Sequence, residues 1–136
     1  MTFIVAHRGL SSKAPENTYY SFDLAIARGV NHIEFDVQLT KDKEIVIIHD
    51  EAITRTSDGQ GMIKEKTFNQ LLEFDFGSWF SKEFSNAKIP KFSDVLDKYK
   101  NVNFVIEIKS AEPELVERVM SVISSNKYWE SKIFKS

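Results

Sequence analysis

The 136-residue chain has no cysteine, no apolar run long enough to cross a bilayer, and no block of like charge. Without cysteine it can form neither a disulfide framework nor a thiolate-ligated metal centre, although this leaves the compartment open. The first apolar run begins at Phe3 with no basic segment before it, and is far too short for a signal peptide or a membrane span. The 18 Lys and Arg are interspersed with 20 Asp and Glu, so the basic stripe of a nucleic-acid binder is missing. Internal repeats and low-complexity stretches are missing too. The chain therefore reads as cytoplasmic, without nucleic acid and without stable membrane insertion. What remains is 42% hydrophobic and 28% charged, the composition of one ordinary globular domain spanning 1–136.

Local signals divide the chain into alternating strands and helices. Phe3-Ile4-Val5-Ala6 is short, apolar and partly β-branched, and Gly9 bounds it. Asn17 or Thr18 suits the N-cap of a helix carrying Phe22, Ala25 and Ile26, which Gly29 closes. Residues 33–39 and 44–48 read as strands, 104–109 as another, and Ile133 as the start of one more. Thr67 and Gln70 have capping-box spacing, Ser93 suits the start of a short helix, and Pro113 suits a first helical turn. Such alternation predicts an α/β fold with a mostly parallel sheet. One connection differs. The four residues between 39 and 44 are too few for a parallel crossover, so 33–48 is expected to be an antiparallel hairpin. With Asp42-Lys43 as a two-residue loop, Asp36 would stand opposite His49.

Polar residues stand where a buried strand would gain nothing from them. His7-Arg8 ends the first strand, and ligands of α/β folds bind at the carboxyl ends of strands. Glu34 and Asp36 are two apart, so they point to one face while Ile33, Phe35 and Val37 point to the other. Glu107 and Lys109 repeat the arrangement. Three carboxylates on strand faces are costly to bury unless a cation relieves them, and all-oxygen donors select hard ions such as Mg²⁺ or Ca²⁺. His7 and His49 supply two groups able to exchange protons near neutrality, and Arg8 offers a planar fork suited to phosphate. His32, which precedes its strand, reads as a surface residue.

Residues 51–91 form an insertion too long for a simple βα loop, and Phe74, Phe76, Trp79, Phe80 and Phe84 lie within it. One reading is a satellite core under a long loop. The other is a lid whose exposed aromatics contact a substrate.

The segments AHRGLSSKAPENTYYSF, IEFDVQLTKD, VIIHDEAITRT, FGSWF, KIPKFSDVL and VIEIK, in that order and spacing, resemble the glycerophosphodiester phosphodiesterase family. The resemblance implies a TIM (β/α)8 barrel of the phospholipase-C-like phosphodiesterase type. It also implies metal binding by Glu34, Asp36 and Glu107, acid–base roles for His7 and His49, and phosphate contact by Arg8 and Lys109. Asn17, in the Pro-Glu-Asn-Thr segment, and Trp79 are then expected to line the substrate site. The expected cofactor is Mg²⁺ or Ca²⁺, and the expected reaction releases sn-glycerol 3-phosphate and an alcohol from a small glycerophosphodiester. The alternatives are a lysophospholipase D-type hydrolase and a catalytically inert half-barrel. Two departures from the family stand out. Lys43 occupies a position where the family often has Gly. A complete barrel typically needs about 250 residues, so 136 would supply roughly its first half, with edges open to self-association.

Overall fold

Strand β2 (His32–Leu39) organises the molecule. A computed structural model of the chain describes residues 4–108 and 112–125 and the backbone of 133–135. Strand β1 (Val5–His7) pairs parallel with the N-terminal part of β2, His7 standing level with Glu34. On the other edge, β4 (Asn103–Ile108) pairs parallel with β2, Asp36 standing level with Glu107, and β5 (Ile133–Lys135) lies beyond β4. Strand β3 (Ile45–Ile47) lies antiparallel against the C-terminal end of β2. Val37 pairs with both Ile108 and Ile47, so β3 takes the edge of β2 opposite β4, directly beyond the end of β1.

The hairpin register differs by one residue from the sequence expectation. Leu39 faces Ile45, and the Ile48 amide donates to the Asp36 carbonyl, so Ile48 rather than His49 stands level with Asp36. The cause is the turn. Thr40 N–H donates to the Glu44 carbonyl and Lys43 N–H to the Thr40 carbonyl, which makes Lys41-Asp42-Lys43 a three-residue loop. Such loops need a left-handed third residue, and Lys43 takes that conformation with φ +66°.

One face of the sheet is covered. Ile33, Phe35, Val37, Phe104 and Ile106 are fully buried against Phe22 and Ala25 of α1 (Tyr19–Ala27) and a second set of helical residues. That second set is Phe92, Val95 and Leu96 from α3 (Phe92–Lys98) and Leu115, Val119 and Ile123 from α4 (Pro113–Ser124). In α4 the buried residues recur at i, i+4 and i+8, one stripe of the helix. Helix α1 starts with a capping box in which Thr18 and Ser21 exchange hydrogen bonds. Helix α2 (Phe68–Leu71) starts with the same device between Thr67 and Gln70. Among the described residues, no helix is long and apolar enough to cross a membrane.

The insertion holds two aromatic groups, not one. Phe76 joins Ile53, Ile63, Leu71 and Ile89 in a second core rooted on Val46 and Ile48 of the hairpin, with Phe68 and Phe74 packed against it. Trp79, Phe80, Phe84 and Tyr20 instead form a chain of edge-on rings, with centroids 5.1–5.8 Å apart. Trp79 and Tyr20 are exposed.

Candidate active site

The sheet registers gather the polar strand residues on one face. In a parallel pair, residues standing level share a face, so His7, Glu34, Asp36 and Glu107 all project from the side opposite the helical core. The two histidine-bearing turns come together because β1 and β3 share an edge of β2 and meet on it end to end. β1 finishes beside Glu34, with Arg8 N–H donating to the Glu34 carbonyl at 2.8 Å, while Ile48 N–H donates to Asp36 at 3.0 Å. His49 therefore reaches this region as the residue that leaves β3, not as a member of the strand.

The chain turns sharply after His7. Arg8 is left-handed with φ +58°, a conformation costing roughly 1–2 kcal/mol for a residue with a Cβ. Bonds on both sides hold it: its amide reaches Glu34, and its carbonyl accepts from Asn17 N–H at 2.9 Å and Ser21 Oγ at 3.0 Å. Gly9 follows at φ +79°, where a Cβ would collide with the Ser21 side chain and backbone, so only glycine allows α1 to approach this closely.

Each residue of the Pro15-Glu16-Asn17-Thr18 segment has a distinct task. Thr18 caps α1 and its hydroxyl donates to the Pro15 carbonyl at 2.6 Å. Asn17, itself left-handed and buried, donates from Nδ2 to Asp36 Oδ2 at 3.0 Å. Arg8 Nε lies 3.2 Å from the same oxygen, and Arg8 Nη1 lies 3.4 Å from Glu16 Oε2. Asp36 is fully buried, so the carboxylate at the centre of the face is compensated by a guanidinium and an amide.

Glu34 sits in a different setting. Burial pushes its pKa above the usual value, and the charge of Asp36 adds to the effect; His7, with Nε2 at 3.9 Å, and Arg8 oppose it. His49 Nδ1 lies 2.7 Å from Asp50 Oδ1. Arg55 then binds Asp50 through Nε (2.9 Å) and Nη2 (3.1 Å), and Glu16 through Nη1 (2.9 Å) and Nη2 (3.0 Å). The Arg55 hydrogen bonds, followed by that of His49, hold the Asp50 carboxyl at about 2. An unbroken series of polar contacts thus runs from His49 through Asp50, Arg55, Glu16 and Arg8 to Asp36.

The donor set suits a hard divalent ion. It consists of carboxylate oxygens on one face, one of them resisting ionisation, and beside Asp36 sits the buried Asn17 Oδ1, which has no hydrogen-bond partner among the described residues. Among the described residues, however, no three His, Asp or Glu side chains are drawn into a coordination cluster. Among the described residues, Arg8 is a cation in contact with Asp36, its Nε 3.2 Å from Oδ2.

Three residues named in the sequence reading remain: His32, expected at the surface, and Trp79 and Lys109, expected at the site. His32 bonds Asn31 Oδ1 through Nδ1 at 2.8 Å at the opposite end of β2, Trp79 donates from Nε1 to the Phe76 carbonyl at 3.1 Å, and Lys109 lies outside the described residues. The sequence reading missed Glu16, Asp50 and Arg55. The adjacency of Asp50 to His49 was a usable signal, whereas the Arg55–Glu16 link spans 39 positions and is purely tertiary.

A mostly parallel sheet with His7 and Arg8 at the carboxyl end of β1, and Glu34, Asp36 and Glu107 on the same open face, defines an α/β protein built for polar, anionic chemistry. The model of the glycerophosphoryl diester phosphodiesterase family matches residues 7–128, and the chain belongs to that family. It is 37% identical over 140 aligned positions to a glycerophosphodiester phosphodiesterase of Caldanaerobacter subterraneus subsp. tengcongensis, an alignment covering 99% of this chain and 58% of that protein. A crystal structure of a glycerophosphodiester phosphodiesterase from Agrobacterium tumefaciens superposes with a TM-score of 0.92 at 31% identity, covering all of this chain and 58% of that one. An Oleispira antarctica phosphodiesterase, solved with the product sn-glycerol 3-phosphate, superposes at 0.86 with 32% identity, over 99% of this chain and 56% of that one. The chain spans about half the length of the relatives it matches.

Proposed function

We propose that this chain carries the metal-binding and acid–base side of a glycerophosphodiester phosphodiesterase, releasing sn-glycerol 3-phosphate and an alcohol. The observation that carries the reading is the open sheet face, where the registers set His7, Glu34, Asp36 and Glu107 together and bring the His49 turn to the end of β1. The product held by the Oleispira antarctica relative supports the substrate class. The sheet is taken as part of a TIM barrel, with its polar face towards the barrel axis.

Glu34, Asp36 and Glu107 would hold Mg²⁺ or Ca²⁺, which when bound supplies a positive charge for a phosphate oxygen. Arg8 grips the phosphate beside Asp36, and Lys109, assigned from its motif alone, does the same. One histidine of the His7–His49 pair takes a proton from the attacking hydroxyl or water. The other gives a proton to the alcohol oxygen as the phosphorus–oxygen bond breaks. Asn17 fixes Asp36, so its carboxylate does not swing towards Glu34.

The exposed rings of Trp79 and Tyr20 favour a second reading, in which the alcohol carries a lipid chain and the reaction is of the lysophospholipase D type. Comparing glycerophosphocholine with a lysophospholipid as substrate separates the two.

The test of the acid–base assignment is the pH–rate profile. Replacing His7 or His49 by Gln should each remove one limb of a bell and lower kcat by roughly 10²–10⁴-fold, while His32→Gln leaves the profile unchanged. Equal, small effects at all three positions would refute the assignment.

A further inference from the structure

Arg55 spans two parts of the site that no strand joins. Its guanidinium makes four hydrogen bonds of 2.9–3.1 Å, two to Asp50 and two to Glu16. Asp50 follows His49 in the turn that leaves the hairpin, whereas Glu16 belongs to the loop that caps α1 and touches Arg8. Two carboxylates engaged side by side match the planar fork of a guanidinium. An ammonium, with one nitrogen, cannot reproduce four such bonds.

The consequence for His49 follows from the donor and acceptor inventory. Asp50, held ionised by Arg55, has only acceptor oxygens, so the contact of 2.7 Å from His49 Nδ1 to Asp50 Oδ1 requires the proton on Nδ1. In the neutral ring Nε2 is then bare and able to accept. Removing Arg55 would release Asp50 from its fixed orientation, and the imidazole would revert towards the mixture of tautomers an unconstrained ring adopts. The other arm of the same guanidinium fixes Glu16, which shares Oε2 between Arg55 and Arg8.

We propose that Arg55 is a positioning residue that sets the tautomer of His49 through Asp50 and, through Glu16, holds Arg8 in place, so that the proton-transfer group and the anion grip are aligned by one side chain. Its catalytic meaning rests on the acid–base reading of His49 above; the tautomer claim itself does not.

The test is a long-range ¹H–¹⁵N correlation spectrum of the histidine-labelled chain, at a pH where the His49 ring is neutral, on wild type, Arg55→Gln, Arg55→Lys and Asp50→Asn. His49 of the wild type is expected to show a pyrrole-type Nδ1 and a pyridine-type Nε2. Both Arg55 variants are expected to shift the Nε2 resonance towards the pyrrole-type range, Lys failing to rescue Gln because charge without the fork is insufficient. Asp50→Asn, which keeps the side-chain shape, should shift it at least as far, and decides the question should the Arg55 variants fail to fold. A wild-type ring already protonated on Nε2, or folded variants with an unchanged His49 pattern, would overturn the proposal. Phosphodiesterase kinetics form a separate arm: Arg55 variants with a shifted tautomer but activity intact reject the catalytic role of Arg55, and a tautomer shift in a protein whose wild type hydrolyses no glycerophosphodiester rejects the proposed function instead.

Discussion

Replacing Asp36 by Ala should destabilise the protein, although the substitution removes a carboxylate from beside two others. The sequence alone supports the opposite expectation: three acidic residues on one face repel, so deleting one would leave the fold intact or more stable. The structure reverses it. Asp36 is fully buried, accepts from Asn17 Nδ2 at 3.0 Å and lies 3.2 Å from Arg8 Nε. Its removal strands a guanidinium and an amide that have already been taken from water, and breaking a buried pair from one side costs about 3–5 kcal/mol. Two features place the expected loss near 3 kcal/mol, the low end of that range. Arg8 keeps its contact with Glu16, and loss of the Asp36 charge relieves Glu34. Urea unfolding followed by tryptophan fluorescence should show the midpoint falling by roughly 1–2 M. Asp36→Asn should lose less, because an amide oxygen still accepts from Asn17. An Asp36→Ala protein as stable as wild type, or more so, would show that like-charge repulsion dominates the face and that the Arg8–Asn17 arrangement is secondary.

Two further predictions follow from the same geometry. Glu34 has a pKa raised above its ordinary 4.5 by burial and by Asp36, so its ionised form disfavours folding. Glu34→Gln should therefore stabilise the protein at neutral pH; the gain should shrink as pH falls through the raised pKa and vanish below about 4.5, as unfolding at several pH values would show. Gly77→Ala should destabilise the insertion by about 1–3 kcal/mol, because a Cβ there meets the Phe84 carbonyl oxygen and lies 2.9 Å from Ala87 Cβ. The loss should appear as earlier melting of the Trp79 signal than of the sheet.

Features set by a few neighbouring residues were legible in the sequence. The capping box at Thr67, an N-cap at Asn17 or Thr18 (the structure uses Thr18), the left-handed Gly29 and the N-terminal Pro113 of α4 all rest on contacts within one turn. The shared face of Glu34 and Asp36 follows from strand alternation, whereas Glu107 joins them through the β2–β4 register. The hairpin register was not legible, because a left-handed lysine carries no sign of its conformation. Lys43 fills a position where glycine would have announced a three-residue loop. Helix α3 begins at Phe92 without a side-chain cap, so Ser93 misled by one residue. The division of the insertion into a buried group around Phe76 and an exposed ring chain around Trp79 has no periodic signature, since both lie in irregular backbone. Least legible was compensation of charge. Nothing local links Asp36 to Asn17, 19 positions away, or Arg55 to Glu16, 39 away, and these contacts decide whether the acidic face repels or holds.

Product release tests the site most directly. A complete barrel that includes residues 1–136, given glycerophosphocholine with Mg²⁺ or Ca²⁺, is predicted to form sn-glycerol 3-phosphate, to lose that activity in excess chelator and regain it when the cation is restored, and to lack it in Glu107→Ala. Turnover undiminished by chelation, or a phosphate product other than glycerol 3-phosphate, would contradict it.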